Sequence, residues 1–147
     1  MGRVKLVLPE TFLFSTQVEV RISDINYAGH LGNDALFALL HEARIRFLRS
    51  WGYGELDIEG AGLIMMDAEV VFRAETFHGE VLIVELAVGG LTSHGCEFLY
   101  RVASSRSGKE VARARTGMAF FNYERHTLVP VPEGFRMHAE SSDAHGA

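Results

Sequence analysis

The stretch that decides the fold runs from Asp24 to Trp51. It reads Asp-Ile-Asn-Tyr-Ala-Gly-His-Leu-Gly-Asn over residues 24–33, then Asp-Ala-Leu-Phe-Ala-Leu-Leu-His-Glu-Ala-Arg-Ile-Arg-Phe-Leu-Arg-Ser-Trp over residues 34–51. The first part is polar and contains glycines, which allow a sharply turning loop. In the second part apolar residues recur at helical spacing, which predicts one long helix capped by Asn33 or Asp34. Because its apolar residues occupy more than one side, we expect a sheet to wrap around this helix.

The segments on either side of this stretch alternate between apolar and polar residues, as half-buried strands do. One strand is predicted before the loop, over 14–22, and four after the helix, over 63–74, 80–91, 93–104 and 109–123. Short turns between the last four favour an antiparallel meander. The predicted fold class is therefore α+β, with a curled five-stranded antiparallel sheet around one helix. The open edges of such a sheet favour pairing into a homodimer.

Length and composition exclude several classes of protein. The chain has 147 residues, enough for one domain over 1–136, and a polar tail over 137–147 that is predicted to be disordered. A net charge of -5 argues against nucleic-acid binding. No apolar run approaches the length of a membrane span. The single cysteine, Cys96, excludes an internal disulfide and fits a cytoplasmic protein, and the histidines lack metal-ligand spacing.

The loop and helix carry a recognisable motif. Asp24-x-Asn26-x-x-Gly29-His30-x-x-Asn33 follows the pattern Asp-x-Asp-x-x-Gly-His-x-x-Asn, and Glu42-Ala43-Arg44 follows on the helix. With Val131-Pro-Glu-Gly-Phe-Arg136, these residues resemble the hotdog-fold acyl-CoA thioesterases, in the 4-hydroxybenzoyl-CoA thioesterase-like branch. The resemblance covers about residues 14–136. It implies a hotdog fold, hydrolysis of an acyl thioester to a free acid and CoA, no cofactor besides the CoA of the substrate, and a homodimer or a homotetramer of two dimers.

One position departs from this pattern. The resemblance makes the second acidic residue the catalytic carboxylate, and that residue is Asn26 here. An amide can orient a water or a carbonyl oxygen, but it cannot remove a proton from water. Either another residue is the base, or the activity is different or absent. The candidate bases are Asp24, Glu42 and Asp67, and each also has an ordinary structural explanation.

The other candidate residues follow from what a thioester needs. Free N–H groups at a helix N-terminus attract negative charge, so the amides around Gly32 and Asn33 are expected to polarise the thioester carbonyl. Asn26 and His30 would position the thioester or a water. Arg73 and Arg101 are candidates for binding the phosphates of CoA, although arginines at such positions are more often solvated surface charges.

Two other functions remain open at this stage. The substitution at Asn26 favours a non-hydrolytic protein that binds acyl thioesters. The same fold also hosts hydratases and dehydratases, so fold alone does not decide the reaction. The acyl group and its carrier, CoA or acyl carrier protein, are not determined by the sequence.

Overall fold

The described part of the chain contains two α-helices and six strands. The structure, a computed structural model, describes residues 5–146. In chain order the elements are β1 (Phe14–Glu19), α1 (Asn33–Ser50), β2 (Gly62–Phe72), β3 (Val81–Gly89), β4 (Gly95–Ser104), β5 (Glu110–Asn122), β6 (Thr127–Leu128) and α2 (Glu133–Gly146). A 3-10 turn at Ile22–Asp24 leads into the loop before α1. The predicted long helix and the five predicted strands are all present, and β6 is a short addition.

The strands form one antiparallel sheet in the order β1-β3-β4-β5-β2, with β6 paired to β5. The meander predicted for four consecutive strands is therefore right for β3, β4 and β5 but wrong for β2, which pairs with β5. Residues 73–80 connect β2 to β3 across the sheet. A connection of this length spans up to roughly 26 Å. It is therefore long enough to cross the three strand spacings, about 14 Å in all, that separate β2 from β3. In this order β1 and β2 form the two edges of the sheet.

Helix α1 lies against this sheet through its predicted apolar stripe. The stripe residues Leu36, Leu39, Leu40, Ala43 and Phe47 are buried in the main core. The helix begins at Asn33, and its N-cap is Gly32, which has no side chain to act as a cap. The predicted capping by Asn33 or Asp34 is therefore not observed, because both residues already belong to the helix. Instead, Oδ1 of Asn33 accepts the N–H of Asp34 at 2.9 Å.

Helix α2 occupies the segment for which the sequence predicted a disordered tail from residue 137. It runs from Glu133 to Gly146, where the sequence pattern indicated no helix. Phe135 and Ala139 are fully buried in the core, and the ring of His138 stacks on that of Trp51 with centroids 4.9 Å apart. The two buried residues, one helical turn apart, were too weak a pattern to indicate a helix from sequence.

Candidate functional site

A cavity of about 840 Å³ lies where the loop of residues 24–33 meets the start of α1 and the end of β2. Its lining residues are Ser23, Asp24, Ile25, Asn26, Tyr27, His30, Leu31, Asn33, Asp34, Ala35, Leu36, Phe72, Arg73, Ala74, Glu75, Thr76 and Val111. The cavity thus brings together five residues proposed from the sequence: Asp24, Asn26, His30, Asn33 and Arg73.

No helix in the described part of the chain is long and apolar enough to cross a membrane.

Asn26 shapes the loop through its side-chain oxygen. Oδ1 accepts the N–H of Ala28 at 2.9 Å and that of His30 at 3.4 Å. The backbone N–H of Asn26 donates to the carbonyl of His30 at 2.9 Å, and Gly29 adopts a positive φ of 87° between them. Within residues 5–146, the Nδ2 group of Asn26 makes no hydrogen bond. Asn26 can therefore hold the loop with its oxygen and still donate to a ligand with its nitrogen.

Asp24 connects the loop to the helix. Its side chain is only 5% exposed, and Oδ2 accepts the N–H of Arg21 at 2.8 Å and lies 3.4 Å from Nε of that residue. Its backbone carbonyl accepts the N–H of Gly32 at 3.0 Å. A carboxylate held in this way stabilises the turn, which is a structural role.

The start of α1 presents two unused backbone donors to the cavity. The N–H of Gly32 is taken by Asp24, and the N–H of Asp34 is taken by Asn33. The N–H groups of Asn33 and Ala35 form no hydrogen bond with any described residue. Donors of this kind, together with the helix dipole, stabilise a negatively charged oxygen. Of the two amides expected from the sequence, Asn33 is available, Gly32 is occupied, and Ala35 is an addition.

His30 faces a carboxylate that the sequence did not indicate. Its Nδ1 lies 3.3 Å from the carbonyl oxygen of Leu31, and its Nε2 lies 3.8 Å from Oε1 of Glu75. The N–H of Leu31 donates to the carbonyl of Thr76 at 2.9 Å, which fastens the loop to the segment after β2. The hydroxyl of Thr76, a buried residue, bonds to Glu80. Glu75 was missed because only this long-range contact brings it to the loop.

The other two candidate bases, Asp67 and Glu42, do not line this cavity. Asp67 is 64% exposed on β2, and its Oδ1 lies 3.0 Å from Nη2 of Arg115. Glu42 is paired with Arg46 at 2.8 Å, four residues further along α1. Both carboxylates thus take part in surface ion pairs.

The candidate phosphate-binding arginines share one carboxylate. The Nε atoms of Arg73 and Arg113 each lie 2.8 Å from Oε2 of Glu110, and Nε of Arg101 lies 3.2 Å from its Oε1. Arg101 also pairs with Glu85 at 3.2 Å. Three guanidinium groups around two carboxylates leave one surplus positive charge. Arg73 lines the cavity, whereas Arg101 does not.

Comparison with known proteins identifies the family. The model of the thioesterase-like superfamily matches residues 20–138, which is most of the chain. The chain belongs to this superfamily. The enzyme class expected from the motif, a thioesterase and hence a hydrolase, is thereby confirmed. No curated protein sequence is significantly similar to this thioesterase.

Solved structures share the fold of this thioesterase. A 1,4-dihydroxy-2-naphthoyl-CoA thioesterase from Synechocystis has a TM-score of 0.80 at 22% identity, covering 88% of this chain and 97% of that one. A DHNA-CoA thioesterase from Staphylococcus aureus has a TM-score of 0.80 at 14% identity, with 90% and 91% covered. A gentisyl-coenzyme A thioesterase has a TM-score of 0.75 at 18% identity, with 84% and 99% covered.

Among the described residues of the present thioesterase, no group of three or more His, Cys, Asp or Glu side chains could hold a metal ion.

Proposed function

We propose that this thioesterase hydrolyses an acyl-CoA thioester to a free acid and CoA at the cavity beside the start of α1. One observation carries the proposal: the same cavity holds unused N–H donors at a helix N-terminus and a histidine next to a carboxylate. The donors suit the oxygen of a thioester carbonyl, and the His30–Glu75 pair suits an attacking water.

The carbonyl oxygen would accept hydrogen bonds from the N–H groups of Asn33 and Ala35. The Nδ2 group of Asn26, which lines the same cavity, is a third donor. When water attacks the carbonyl carbon, negative charge collects on this oxygen. Fixed donors stabilise that charge without having to reorganise, and one such donor typically contributes about 100- to 1000-fold in rate.

The attacking water would lie between His30 and Glu75. With Nδ1–H of His30 directed at the carbonyl of Leu31, its Nε2 is free to accept a hydrogen bond. The 3.8 Å separation of Nε2 and Oε1 of Glu75 fits a water that donates to both, since each bond spans about 2.8 Å. The water oxygen attacks the carbonyl carbon and gives one proton to the Glu75 carboxylate. The C–S bond then breaks, and the departing CoA sulfur takes up that proton.

The arginine cluster around Glu110 supports CoA as the carrier. Arg73 lines the cavity and belongs to the cluster that carries a surplus positive charge. Guanidinium groups bind phosphate strongly and with directed hydrogen bonds. The phosphates of CoA would therefore bind near Arg73, with Arg101 and Arg113 next to it.

The functional unit we propose is a homodimer that pairs through β2. This strand forms one edge of the sheet, and its middle residues Met65 and Met66 are exposed, as is Phe37 of α1, which lies beside Met65. A long apolar edge strand attracts another strand. Pairing with a second copy would bury these side chains and extend the sheet.

The experiment measures CoA release from a panel of short, long and aromatic acyl-CoAs, with wild type, Glu75→Gln and Glu19→Gln. Glu19 is an exposed β1 carboxylate outside the cavity and serves as the matched control. We expect Glu75→Gln to lower kcat by about 100-fold or more with little change in KM, because general base catalysis is lost. Glu19→Gln should match wild type.

Two results would contradict parts of this proposal. Absence of CoA release from every substrate would favour the rival function, a non-hydrolytic acyl-thioester binding protein, for which Asn26 is the supporting feature. Full activity of Glu75→Gln would leave hydrolysis intact but place the base elsewhere, with Asp24 and Asp34 as the other carboxylates that line the cavity.

A further inference from the structure

A second cavity, of about 250 Å³, lies beside the middle of α1. Its lining residues are Phe37, Ala38, Leu40, His41 and Arg44 of α1, Met65 of β2 and Thr116 of β5. Most of these side chains are apolar, so the cavity suits a hydrocarbon group. The exceptions are His41, which is exposed, and Arg44 and Thr116, which are deeply buried residues.

Arg44 is a buried cation with unused hydrogen-bonding capacity. Its side chain is 4% exposed, and Nη1 donates to the hydroxyl of Tyr100 at 3.0 Å, which lies 2.8 Å from Oγ1 of Thr116. Nε is buried and makes no hydrogen bond within the described part of the chain. Glu55 lies 3.5 Å from Nε, and the same Glu55 oxygen lies 3.1 Å from Nε2 of His41.

The charge of Arg44 persists in spite of its burial. Burial by itself lowers the pKa of the guanidinium, but the neighbouring Tyr100 and Glu55 raise that pKa by more. A buried donor without an acceptor destabilises the fold. The hydrogen bond to Tyr100 and the ion pair with Glu55 use only part of the five N–H groups of an arginine. An acceptor supplied by a bound molecule would use more of them.

The chemistry of the acceptor follows from the guanidinium. Its planar, forked donors match the two oxygens of a carboxylate. The apolar walls formed by Phe37, Leu40 and Met65 would hold the hydrocarbon part of the same molecule. The occupant is thus an apolar chain that ends in a carboxylate.

The position of this cavity relates it to the first one. Along α1, residues 33–36 line the first cavity and residues 37–44 the second; along β2, Phe72 lines the first and Met65 the second. Gly32 and Arg44 are separated by about 18 Å along a helix axis, and the arginine side chain leans back towards the N-terminus. A medium-length acyl chain covers this distance.

We propose that the second cavity binds the far end of the acyl group, and that Arg44 selects acyl groups that end in a carboxylate. This assignment depends on the proposed hydrolysis of acyl-CoA at the start of α1. Met65 lies both at this cavity and on the β2 edge, so the proposed dimer would also cover the cavity.

The experiment compares CoA monothioesters of dicarboxylic acids with CoA thioesters of monocarboxylic and ω-hydroxy acids of the same length. For the wild type we expect kcat/KM to be at least about tenfold higher with the terminal carboxylate. Arg44→Gln should abolish this preference, and Thr116→Val should reduce it by weakening the Tyr100 support. Arg49→Gln removes an exposed arginine from the same helix and should leave the preference unchanged.

A second measurement needs neither a variant nor catalysis. Monomethyl esters of dicarboxylic acids should raise the Tm of the wild-type protein, and methyl esters of monocarboxylic acids of the same length, which lack the terminal carboxylate, should raise it less. Equal rates for the three classes of thioester and equal Tm shifts for the two classes of ester would overturn the inference, as would an equal preference for the ω-hydroxyacyl substrates. Absence of hydrolysis together with a Tm shift that requires the terminal carboxylate would overturn the proposed function and support this binding site.

Discussion

Asn26 has two groups with separate roles, and an aspartate at this position would keep only one of them. Oδ1 accepts the N–H groups of Ala28 and His30, and a carboxylate oxygen could accept both bonds equally well. Nδ2 is the proposed donor to the thioester oxygen. We expect Asn26→Asp to fold with an unchanged Tm but to lower kcat by about tenfold or more, because a negative charge would face the developing oxyanion. Steady-state CoA release and thermal unfolding measure the two effects.

Asn26→Ala is the matched control, since it removes the oxygen as well as the nitrogen. This variant should lose both Tm and activity, which separates loop stability from catalysis. A rise in hydrolysis by Asn26→Asp would mean that the second acidic position of the motif is the true site of the base. The chain would then be a binding protein that has lost its carboxylate.

The sequence indicated those candidate residues that lie close together in the loop. Asp24, Asn26, His30 and Asn33 were found because one short segment places them around one cavity. Glu75 was not, because it reaches His30 only through the bond between Leu31 and Thr76. The burial of Arg44 was equally hidden, since a charged residue on a helix is normally solvated.

At the level of elements, the periodicity of the sequence predicted α1 and the strands to within a few residues. The pattern failed where burial does not alternate. The middle of β2, residues 65–68, is exposed on both faces because this strand is a sheet edge with a register shift between Met65 and Asp67. Among residues 133–141 of α2 the buried positions are few, so the helix depends on its contacts with the core rather than on its own pattern.

Those contacts give a prediction about α2. Phe135 is fully buried, and its ring lies 5.1 Å from that of Phe120, 5.6 Å from that of Trp51 and 6.4 Å from that of Phe98. Phe135→Ala should lower the free energy of unfolding by about 3–5 kcal/mol, because it leaves a cavity in the core. Met137→Ala, at an exposed position of the same helix, should change it by less than about 0.5 kcal/mol. Chemical denaturation measures both, and an equal small effect would mean that α2 does not pack on the core.

At the scale of the whole molecule, the order of strands explains what the sequence pattern could not. Alternation indicates that a segment is a strand but not which strand lies next to it, and the crossover of residues 73–80 sends β2 to the far side of β5. The same crossover carries Glu75 to the loop before α1 and leaves the apolar edge of β2 exposed. One connection thus forms the proposed water-binding pair and the proposed dimer interface.

The dimer prediction is tested at the exposed centre of β2. Met66 is 64% exposed there, and a lysine on an edge strand opposes pairing with a second strand. We expect the wild type to have twice the 16.3 kDa mass of the chain by light scattering, and Met66→Lys to shift towards the single-chain mass on dilution. Leu56→Lys is the control, since Leu56 is equally exposed but lies in the loop before β2. A wild type that stays monomeric, or a Met66→Lys variant that stays dimeric while Leu56→Lys dissociates, would place the subunit contact elsewhere or remove it.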